Sequence, residues 1–390
     1  MTRFLLASLS LAATLAAQSL STMKPEEIAN GTAFSGEQGN FMFAIKMERM
    51  PKLFIDEVPG PKLEKSGDVW TAKVKLETGT LHSFHYEVDG KKFGGRTDFP
   101  AFGPDSYEQA GVPKGTLSEK IVHNSKIYPG LVSDYWIYVP AQYDASKPAA
   151  VMIWQDGQGM TARENSRSQI VFDNLTHNKK IPVMIHIFIS PGKVGERAWR
   201  SIEYDTVDNT YPRFLIEEIL PEVTKKYKLR TDGYSRAIAG NSSGGICAFN
   251  AAWQQPEQFT RVLSRIGSFT SIQWKPGVID GGNVYPNKIR KEPKRNIRTW
   301  MQDGWNDLEN NHGSWPLQNI QMANSLKMMN YDFHLSFGRG THNGSHGNAE
   351  LPEAMEWLWR DYDPAKTSQS FEQEAAEKTK PMFRVSIVNR

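Results

Sequence analysis

The segment "RAIAGNSSGG", Arg236 to Gly245, constrains the fold of this chain more than any other. Mostly apolar residues lead into three glycines, two serines and an asparagine, and the small-residue segment "ICAFNAAW" follows. An ordinary tight turn is one interpretation. The other is a nucleophile elbow, in which a serine projects from the end of a strand and a helix starts at once. Because Gly240 and Gly244 clear space on either side of Ser242, the segment predicts strand, elbow and helix, with Ser242 as the nucleophile.

Strand and helix patterns alternate through most of the chain on both sides of this elbow. The apolar runs "AAVMIWQDG" and "IPVMIHIFISPG" end in Gly or Pro-Gly, as buried strands do. In "YPRFLIEEILPEVTKKYKL" the apolar residues recur at helical spacing from Ile216 onward. This alternation predicts an α/β fold with a mostly parallel sheet and helices on both faces.

The two ends of the chain have a different character. The first residues, "MTRFLLASLSLAATLAAQS", combine Arg3 with a short apolar run and small residues, which predicts a cleaved signal peptide and a periplasmic or secreted protein. Alternation around Trp70 and Phe84, with a turn at Asp89-Gly90, predicts a small all-β sandwich. The predicted parts are a signal peptide (1–19), a β-sandwich (30–115), an α/β domain (118–362) and a polar, loosely attached tail (364–390).

Composition excludes several classes of partner. The formal net charge is +3, with both signs interspersed, so the sequence predicts binding neither to nucleic acid nor to an anionic lipid surface. No apolar run after the N-terminal segment is long enough to span a membrane. Cys247 is the only cysteine, so an internal disulfide is impossible, and we interpret it as a packed residue rather than a reactive thiol.

A serine nucleophile needs a histidine base, and in this chain order the base follows last. The segment "GRGTHNGSHG" comes after the last strand pattern and offers His342 and His346. Their spacing of four residues could suggest zinc, but Gly344 lies between them in a predicted loop, so we expect no metal. Only one of the two rings can contact Ser242, and the residues alone leave both open.

The acid and the oxyanion donors come from two other strand ends. The segment "IRTWMQDGWND" supplies Asp307, favoured by its loop position, and Asp303 as the alternative. Two backbone N–H groups should bind the oxyanion. We expect Ser243, directly after the nucleophile, and Gln158, where Gly157 permits a close approach.

Several segments, in this order, resemble the putative-esterase family: "IWQDGQ", "RSIEYDTV", "RAIAGNSSGGICAFNAAW", "DGWNDLENNHGSWPLQN" and "GTHNGSHGNAELPEAMEWLWRDY". That family includes enterochelin, feruloyl and acetylxylan esterases, and the resemblance covers 118–362. It implies an α/β-hydrolase domain without a cofactor, and it supports Ser242, Asp307 and Gln158 in the roles given above. It favours His342 as the base, while His346 departs from the family pattern. The N-terminal part resembles the immunoglobulin-like early-set sandwiches that precede such esterases.

Five further residues are candidates for substrate binding. Arg200 and Glu203, in "WRSIEYD", resemble a cleft-lining segment, although a salt bridge between the two is an equal alternative. Trp305 and Trp315 flank the acid and could stack on an aromatic or sugar ring, or simply pack. His346 could affect binding or loop order.

The function that these patterns predict is an exported serine esterase. Its ester would be carbohydrate-linked or aromatic, so the expected partner is a small-molecule or glycan ester. Alternatives are a siderophore trilactone esterase, an acyltransferase that uses the same acyl-enzyme, and a carbohydrate-binding protein with an inactive hydrolase domain.

Overall fold

A computed structural model describes residues 25–35, 39–381 and 387–388 of this chain. The predicted signal peptide, residues 1–19, lies outside the described residues. The chain divides into two compact units, and the division falls between Pro104 and Asp105. No helix among the described residues is both long enough and apolar enough to cross a membrane.

The first unit consists of two four-stranded antiparallel sheets, with strand orders β1-β2-β6-β5 and β4-β3-β7-β8. A short helix, α1 (Pro25–Ala29), comes before the sheets. The strands are β1 (Thr32–Ser35), β2 (Asn40–Lys46), β3 (Lys52–Ile55), β4 (Val58–Pro59), β5 (Glu64–Ser66), β6 (Val69–Lys75), β7 (Thr80–Val88) and β8 (Lys91–Ala101).

Aromatic side chains from both sheets fill the core of this unit. Phe43 of β2 packs edge-on against Phe84 of β7, with ring centroids 5.1 Å apart, and Phe99 of β8 contacts both rings. All three side chains are buried. The predicted strands are thus present and form two packed antiparallel sheets. An immunoglobulin-like topology stays a prediction.

The second unit is built on one mixed sheet of strands β9 to β18, β21 and β22, with the order β15-β14-β11-β13-β12-β16-β17-β18-β21-β22 and with β9 and β10 paired to β11. The strands are β9 (Thr116–Leu117), β10 (Ile121–Asn124), β11 (Leu131–Val139), β12 (Ala150–Gln155), β13 (Met184–Ile189), β14 (Lys193–Val194), β15 (Arg197–Ala198), β16 (Arg236–Asn241), β17 (Arg261–Arg265), β18 (Arg298–Asn306), β19 (Glu309–Asn310), β20 (Gly313–Ser314), β21 (Asp332–Thr341) and β22 (Ile387–Val388). Strands β19 and β20 form a separate small hairpin.

Pairing is parallel from β13 through β12, β16, β17, β18 and β21 to β22, and antiparallel between β11 and β13. The helices of this unit are α2 (Arg163–Ser166), α3 (Ser168–His177), α4 (Arg200–Asp205), α5 (Thr210–Phe214), α6 (Leu220–Thr224), α7 (Ser243–Gln254), α8 (Tyr285–Lys291), α9 (Trp315–Met328), α10 (Ser345–Ala349), α11 (Leu351–Trp359) and α12 (Ala375–Lys378). A π-helical turn, Leu215–Ile219, joins α5 to α6.

The parallel strands are buried on both faces. In β12, Val151 and Ile153 belong to the core that α7 covers, whereas Met152 and Trp154 belong to the core that α3 and α11 cover. This alternation follows from the two-residue period of a strand, and it explains why the run "AAVMIW", residues 149–154, is apolar throughout. The predicted α/β fold, with a mostly parallel sheet between helices, is confirmed.

Two predicted boundaries differ from the structure. The sandwich was expected to extend to residue 115, but the second unit already begins at Asp105, because the Nδ2 of Asn174 in α3 donates to the carbonyls of Asp105 (2.9 Å) and Tyr107 (2.8 Å). The described residues after Pro364 are not loosely attached. Phe371 is buried, its N–H donates to Oδ1 of Asn296 (2.9 Å), and Nδ2 of Asn296 donates to the carbonyl of Gln369 (2.7 Å). Strand β22 extends the central sheet.

Candidate active site

The candidate nucleophile, Ser242, lies between the last residue of β16 and the first residue of α7. Its backbone has φ 58° and ψ −123°, a conformation that a non-glycine residue rarely adopts and that costs free energy. Surrounding chain holds it there: the Ser242 N–H donates to the carbonyl of Arg265 (2.9 Å), and its own carbonyl accepts from the N–H of Ser268 (3.0 Å). A strained serine held in this way projects its hydroxyl beyond the sheet.

The glycines around Ser242 are required by contacts. A Cβ atom on Gly240 would lie 2.3 Å from the carbonyl oxygen of Gly244, one turn further along the chain. A Cβ on Gly244 would lie 3.0 Å from Cβ of Gln155 and 3.2 Å from Oδ2 of Asp156. The first turn of α7 therefore packs tightly against both its own strand and the end of β12.

Asp307 and His342 complete a hydrogen-bonded series with Ser242. Nε2 of His342 lies 2.7 Å from Oγ of Ser242, and Nδ1 of His342 lies 2.5 Å from Oδ1 of Asp307. An ionised carboxylate can only accept, so the proton of the neutral ring is on Nδ1 and Nε2 is free to accept from the serine. Each of the three residues directly follows a strand, β16, β18 or β21, and parallel strands bring these ends to one edge of the sheet.

Asp303, the alternative acid, lies on β18 and does not contact His342. Its side chain is fully buried, with Oδ1 accepting from the N–H of Gly304 (2.8 Å) and Oδ2 from Nδ2 of Asn319 (2.8 Å). Burial would raise the pKa of Asp307, but hydrogen bonds from His342 and from Asp303 hold that pKa below its usual value. Asp307 is therefore the ionised carboxylate beside the histidine.

A second series of hydrogen bonds reaches Ser242 from the other side. Nε1 of Trp315 donates to Oγ of Ser268 (3.0 Å), and that oxygen lies 3.2 Å from Oγ of Ser242. Because Ser268 already accepts from the indole, its own proton is free to point at Ser242, which leaves the Ser242 proton for His342. Ser268 was not among the site residues predicted from the sequence, although its segment, "VLSRIGSF", resembles the putative-esterase family. A further signal is that it comes shortly after the end of a strand, β17.

The two predicted oxyanion donors lie at adjacent strand ends. Ser243 is the first residue of α7, so its N–H has no carbonyl to bind within the helix. Gln158 follows Asp156, which has a left-handed φ of 55°, and Gly157, which is buried against β13. A Cβ on Gly157 would lie 2.4 Å from Cα of Phe188. The turn after β12 is therefore packed against β13, and its start, at Gln155 and Asp156, lies beside Gly244 in the first turn of α7.

Arg200, the first residue of α4, pairs with Asp156 rather than with Glu203. Its Nε and Nη2 donate to the two carboxylate oxygens of Asp156, each at 2.8 Å, and Nη2 also lies 3.5 Å from the carbonyl of Asn241, next to the nucleophile. The guanidinium is partly exposed, so it can also contact a substrate.

Glu203 cannot have the substrate-binding role suggested for it, because only 1% of it is exposed. Oε2 of Glu203 accepts from the N–H of Gly192 (2.7 Å), and burial raises the pKa of Glu203 to about 7. Its neighbour Asp205, which accepts from the hydroxyl of Ser201, is buried as well, and burial raises the pKa of Asp205 to about 6. Both carboxyls lie on α4, the helix that begins with Arg200.

The remaining candidates divide between surface and core. Trp305 is 57% exposed and rests edge-on against Phe337, so it is open to a ligand. Trp315 is buried and packs edge-on against His342. It therefore holds the histidine ring in place and is not open for stacking on a substrate. His346 is 1% exposed and lies between Gln302 and Glu350. It is therefore a packed residue, and the suggested contact with substrate is wrong.

The two histidines do not form a metal site with each other. His342 faces Asp307 and Ser242, whereas His346 is turned into the protein. Across the part of the chain that the structure describes, no group of three or more His, Cys, Asp or Glu side chains could hold a metal ion.

A serine, a histidine and a carboxylate hydrogen-bonded in series, at the carboxyl edge of a mostly parallel sheet, define the class of α/β-hydrolase proteins. Within that class the chain belongs to the putative esterase family, whose family model matches residues 134–358.

The relatives of this chain are esterases of two kinds. It is 23% identical over 273 residues to an endo-1,4-beta-xylanase/feruloyl esterase of Xylanibacter ruminicola, covering 64% of this chain and 35% of the relative. It is 22% identical over 237 residues to an iron(III) enterobactin esterase of Dickeya dadantii, covering 60% of this chain and 53% of that protein. The chain thus spans about a third and about half of the lengths of these two relatives.

Solved structures give the same two kinds of neighbour. The enterobactin esterase of Shigella flexneri matches with a TM-score of 0.57 at 15% identity, covering 86% of this chain and 97% of that one. A ferulic acid esterase of Anaeromyces mucronatus matches with a TM-score of 0.52 at 17% identity, covering 65% and 94%. At these identities the likeness shows a shared fold.

Proposed function

We propose that this protein is a serine esterase that hydrolyses a carboxylic ester through an acyl-enzyme. The observation that carries the proposal is the unbroken series from Oγ of Ser242 to Nε2 of His342 (2.7 Å) and from Nδ1 of His342 to Asp307 (2.5 Å). Membership of the putative esterase family supports the same reaction.

In the first half of the reaction, His342 takes the proton of Ser242 while the serine oxygen attacks the ester carbonyl. The pKa of Asp307 is held low, so its carboxylate stays ionised and stabilises the imidazolium that forms. The N–H groups of Ser243 and Gln158 bind the oxyanion, and the positive end of α7 favours the same negative charge. His342 then returns the proton to the departing alcohol.

In the second half, water replaces the alcohol. His342 takes a proton from the water, the hydroxide attacks the acyl group on Ser242, and collapse of the tetrahedral intermediate returns the proton to the serine. The proposed reaction uses no cofactor, because His342 transfers the protons, and Asp307 and the backbone N–H groups stabilise the charges that develop.

For the substrate, we infer a carbohydrate-linked or aromatic ester. The exposed indole of Trp305 offers a face on which a ring can stack, and the partly exposed Arg200 offers donors beside the nucleophile. The name of the Xylanibacter ruminicola relative favours this class, and the name of the Dickeya dadantii relative favours a siderophore ester as the alternative. Export of the protein is a proposal that rests on the sequence of residues 1–19.

Labelling and turnover of matched variants test the proposal. Ser242→Ala should abolish labelling by a fluorophosphonate and lower kcat by at least about 10³-fold, because only binding and the oxyanion donors remain. Ser146→Ala, at an exposed serine, is the matched control and should behave as wild type. Activity that persists in Ser242→Ala would overturn the assignment of the nucleophile.

A panel of esters then separates the substrate classes. Acetyl and feruloyl sugars, a simple lactone and a catecholate trilactone are supplied to the wild-type protein, with and without an acceptor alcohol. Preference for the sugar-linked or aromatic esters supports the proposed substrate, and preference for the trilactone supports the siderophore alternative. Transfer to the acceptor faster than hydrolysis would make the protein an acyltransferase, and no turnover of any ester would favour a binding protein.

A further inference from the structure

We propose that Asp303 is a positioning residue for the acid of the site: as a neutral carboxylic acid it donates a hydrogen bond to the second oxygen of Asp307 and fixes the orientation of that carboxylate. The inference rests on the proposed role of Asp307, and it adds a fourth residue to the series.

The first observation is where Asp303 lies. It is 0% exposed, and both of its oxygens face neutral donors, the N–H of Gly304 and the amide of Asn319. Among the described residues no Lys, Arg or His pairs with it. An ionised carboxylate in such a place is costly, and a buried acid without a cation takes up a proton instead.

The second observation is an unused acceptor on Asp307. Oδ1 of Asp307 accepts from His342 and from the N–H of Leu308, each at 2.5 Å. Oδ2 is buried, and no donor of the described residues reaches it as long as both acids are ionised. Two carboxylates cannot donate to each other, but a protonated Asp303 can donate to Asp307.

The pKa shifts of Asp303 and Asp307 have opposite directions, as expected if Asp303 is protonated and Asp307 is ionised. Burial, and then the hydrogen bond with Asp307, raise the pKa of Asp303 well above its usual value. The same bond, after that of His342, lowers the pKa of Asp307 against the effect of burial. When the pKa values of two neighbouring carboxyls are shifted in opposite directions, one carboxyl is protonated and the other is ionised. The titratable group that contacts this pair is His342, through its hydrogen bond with Asp307.

The turn between the two acids keeps them together. The N–H of Asp307 donates to the carbonyl of Gly304 (3.1 Å), which folds the end of β18 back on itself. With Oδ1 held by His342 and Oδ2 by Asp303, the carboxylate of Asp307 cannot rotate, and the ring of His342 stays aimed at Ser242. Asp303 thus acts on the reaction through Asp307, without touching the substrate.

Two substitutions at Asp303 test this role. Asp303→Asn keeps a donor, because its amide NH₂ takes the place of the carboxyl O–H. Asn319 tolerates the change, because its two amide protons can still be donated to the carbonyls of Gly267 and Trp315. We expect kcat of Asp303→Asn within about threefold of wild type, and kcat of Asp303→Val lower by about 10- to 100-fold with KM within about twofold, the loss expected for one hydrogen bond to a charged group.

Asp307→Asn is the reference, with an expected loss of about 10⁴-fold because the histidine is left in the wrong tautomer. If Asp303→Asn is as damaging as Asp307→Asn, Asp303 works as a carboxylate and the proposal is overturned. Circular dichroism and Tm establish that each variant is folded. If Asp303→Val does not fold, the comparison of kcat between Asp303→Asn and Asp307→Asn still tests whether Asp303 acts as a neutral donor.

A measurement without turnover keeps this proposal apart from the proposed function. The infrared difference spectrum of wild type minus Asp303→Asn at neutral pH should contain the carbonyl band of one protonated carboxyl, because the bands of Glu203 and Asp205 are common to both proteins and cancel. Absence of that band overturns the proposal whether or not an ester is hydrolysed. A protein that has the band but hydrolyses no ester would contradict the esterase assignment and leave the neutral Asp303 standing.

Discussion

Nε2 of His342 lies 2.7 Å from Oγ of Ser242, although the two residues are 100 positions apart in the chain. The distance is that of a hydrogen bond, so the ring can take the serine proton without any rearrangement. Packing maintains it: the indole of Trp315 rests edge-on against the ring of His342, with centroids 5.5 Å apart, and the Oγ of Ser268 lies 3.2 Å from the serine oxygen.

The two histidines of the last loop should have different roles. His342→Ala removes the base and should lower kcat by about 10³-fold or more, close to the loss in Ser242→Ala. His346 is buried beside Gln302 and Glu350, so His346→Ala should mainly lower stability. Turnover and Tm of both variants check this. Because residues of a triad act as a unit, the double variant of Ser242 and His342 should be hardly worse than either single one. The assignment is wrong if His346→Ala loses turnover while His342→Ala keeps most of it.

The turn that carries Gln158 offers a matched pair of glycines. A Cβ on Gly157 would lie 2.4 Å from the backbone of Phe188, so Gly157→Ala must displace the turn and its N–H donor. We expect kcat to fall by about 10- to 100-fold, approaching the loss of one oxyanion donor. A Cβ on Gly159 meets no atom within 4 Å, so Gly159→Ala is the control and should keep kcat. Steady-state kinetics compares the two, and equal activities would contradict the role of this turn.

The Trp315–Ser268 hydrogen bond should be detectable as a coupling in stability. Ser268→Ala leaves the buried N–H of Trp315 without an acceptor, at a cost of about 1–3 kcal/mol in the free energy of unfolding. Trp315→Phe in addition removes the orphaned donor, so the double variant should lose less than the sum of the single changes. Urea unfolding of the four proteins measures the coupling. Strict additivity would show that the bond does not stabilise the fold.

The buried Glu203 predicts a dependence of stability on pH. Burial raises its pKa from 4.5 to about 7 in the folded protein. A carboxyl whose pKa is higher in the folded than in the unfolded protein stabilises the fold while it is protonated. This contribution is complete below the pKa of the unfolded state, 4.5, and is lost as the pH rises through about 7. Relative to Glu203→Gln, the wild-type protein should therefore lose about 2 kcal/mol of unfolding free energy between pH 5 and pH 8. Denaturant titration at both pH values checks this, with Glu196→Gln, at an exposed position, as the control. A parallel pH dependence in wild type and Glu203→Gln would contradict it.

Much of the fold could be predicted from the sequence because its determinants are local. The run "AAVMIW" is apolar at every position, as a strand that is covered on both faces requires. The division between the units and the packing of the last segment could not be predicted, because they depend on distant partners. Asn174 draws residues 105–107 to the second unit, and Asn296 holds Phe371.

The candidate site divides in the same way. The sequence by itself determined the elbow, since a strained serine between strand and helix demands small neighbours within a few residues, as Gly240 and Gly244 are. It also narrowed the acid and the base to pairs at strand ends. Only the tertiary structure decided which histidine contacts the serine and which aspartate contacts that histidine. It also decided that Arg200 pairs with Asp156 and that Ser268 adjoins the nucleophile. The reason is physical: a turn's conformation depends on its own residues, whereas a hydrogen bond or a buried charge depends on which strands the whole sheet places side by side.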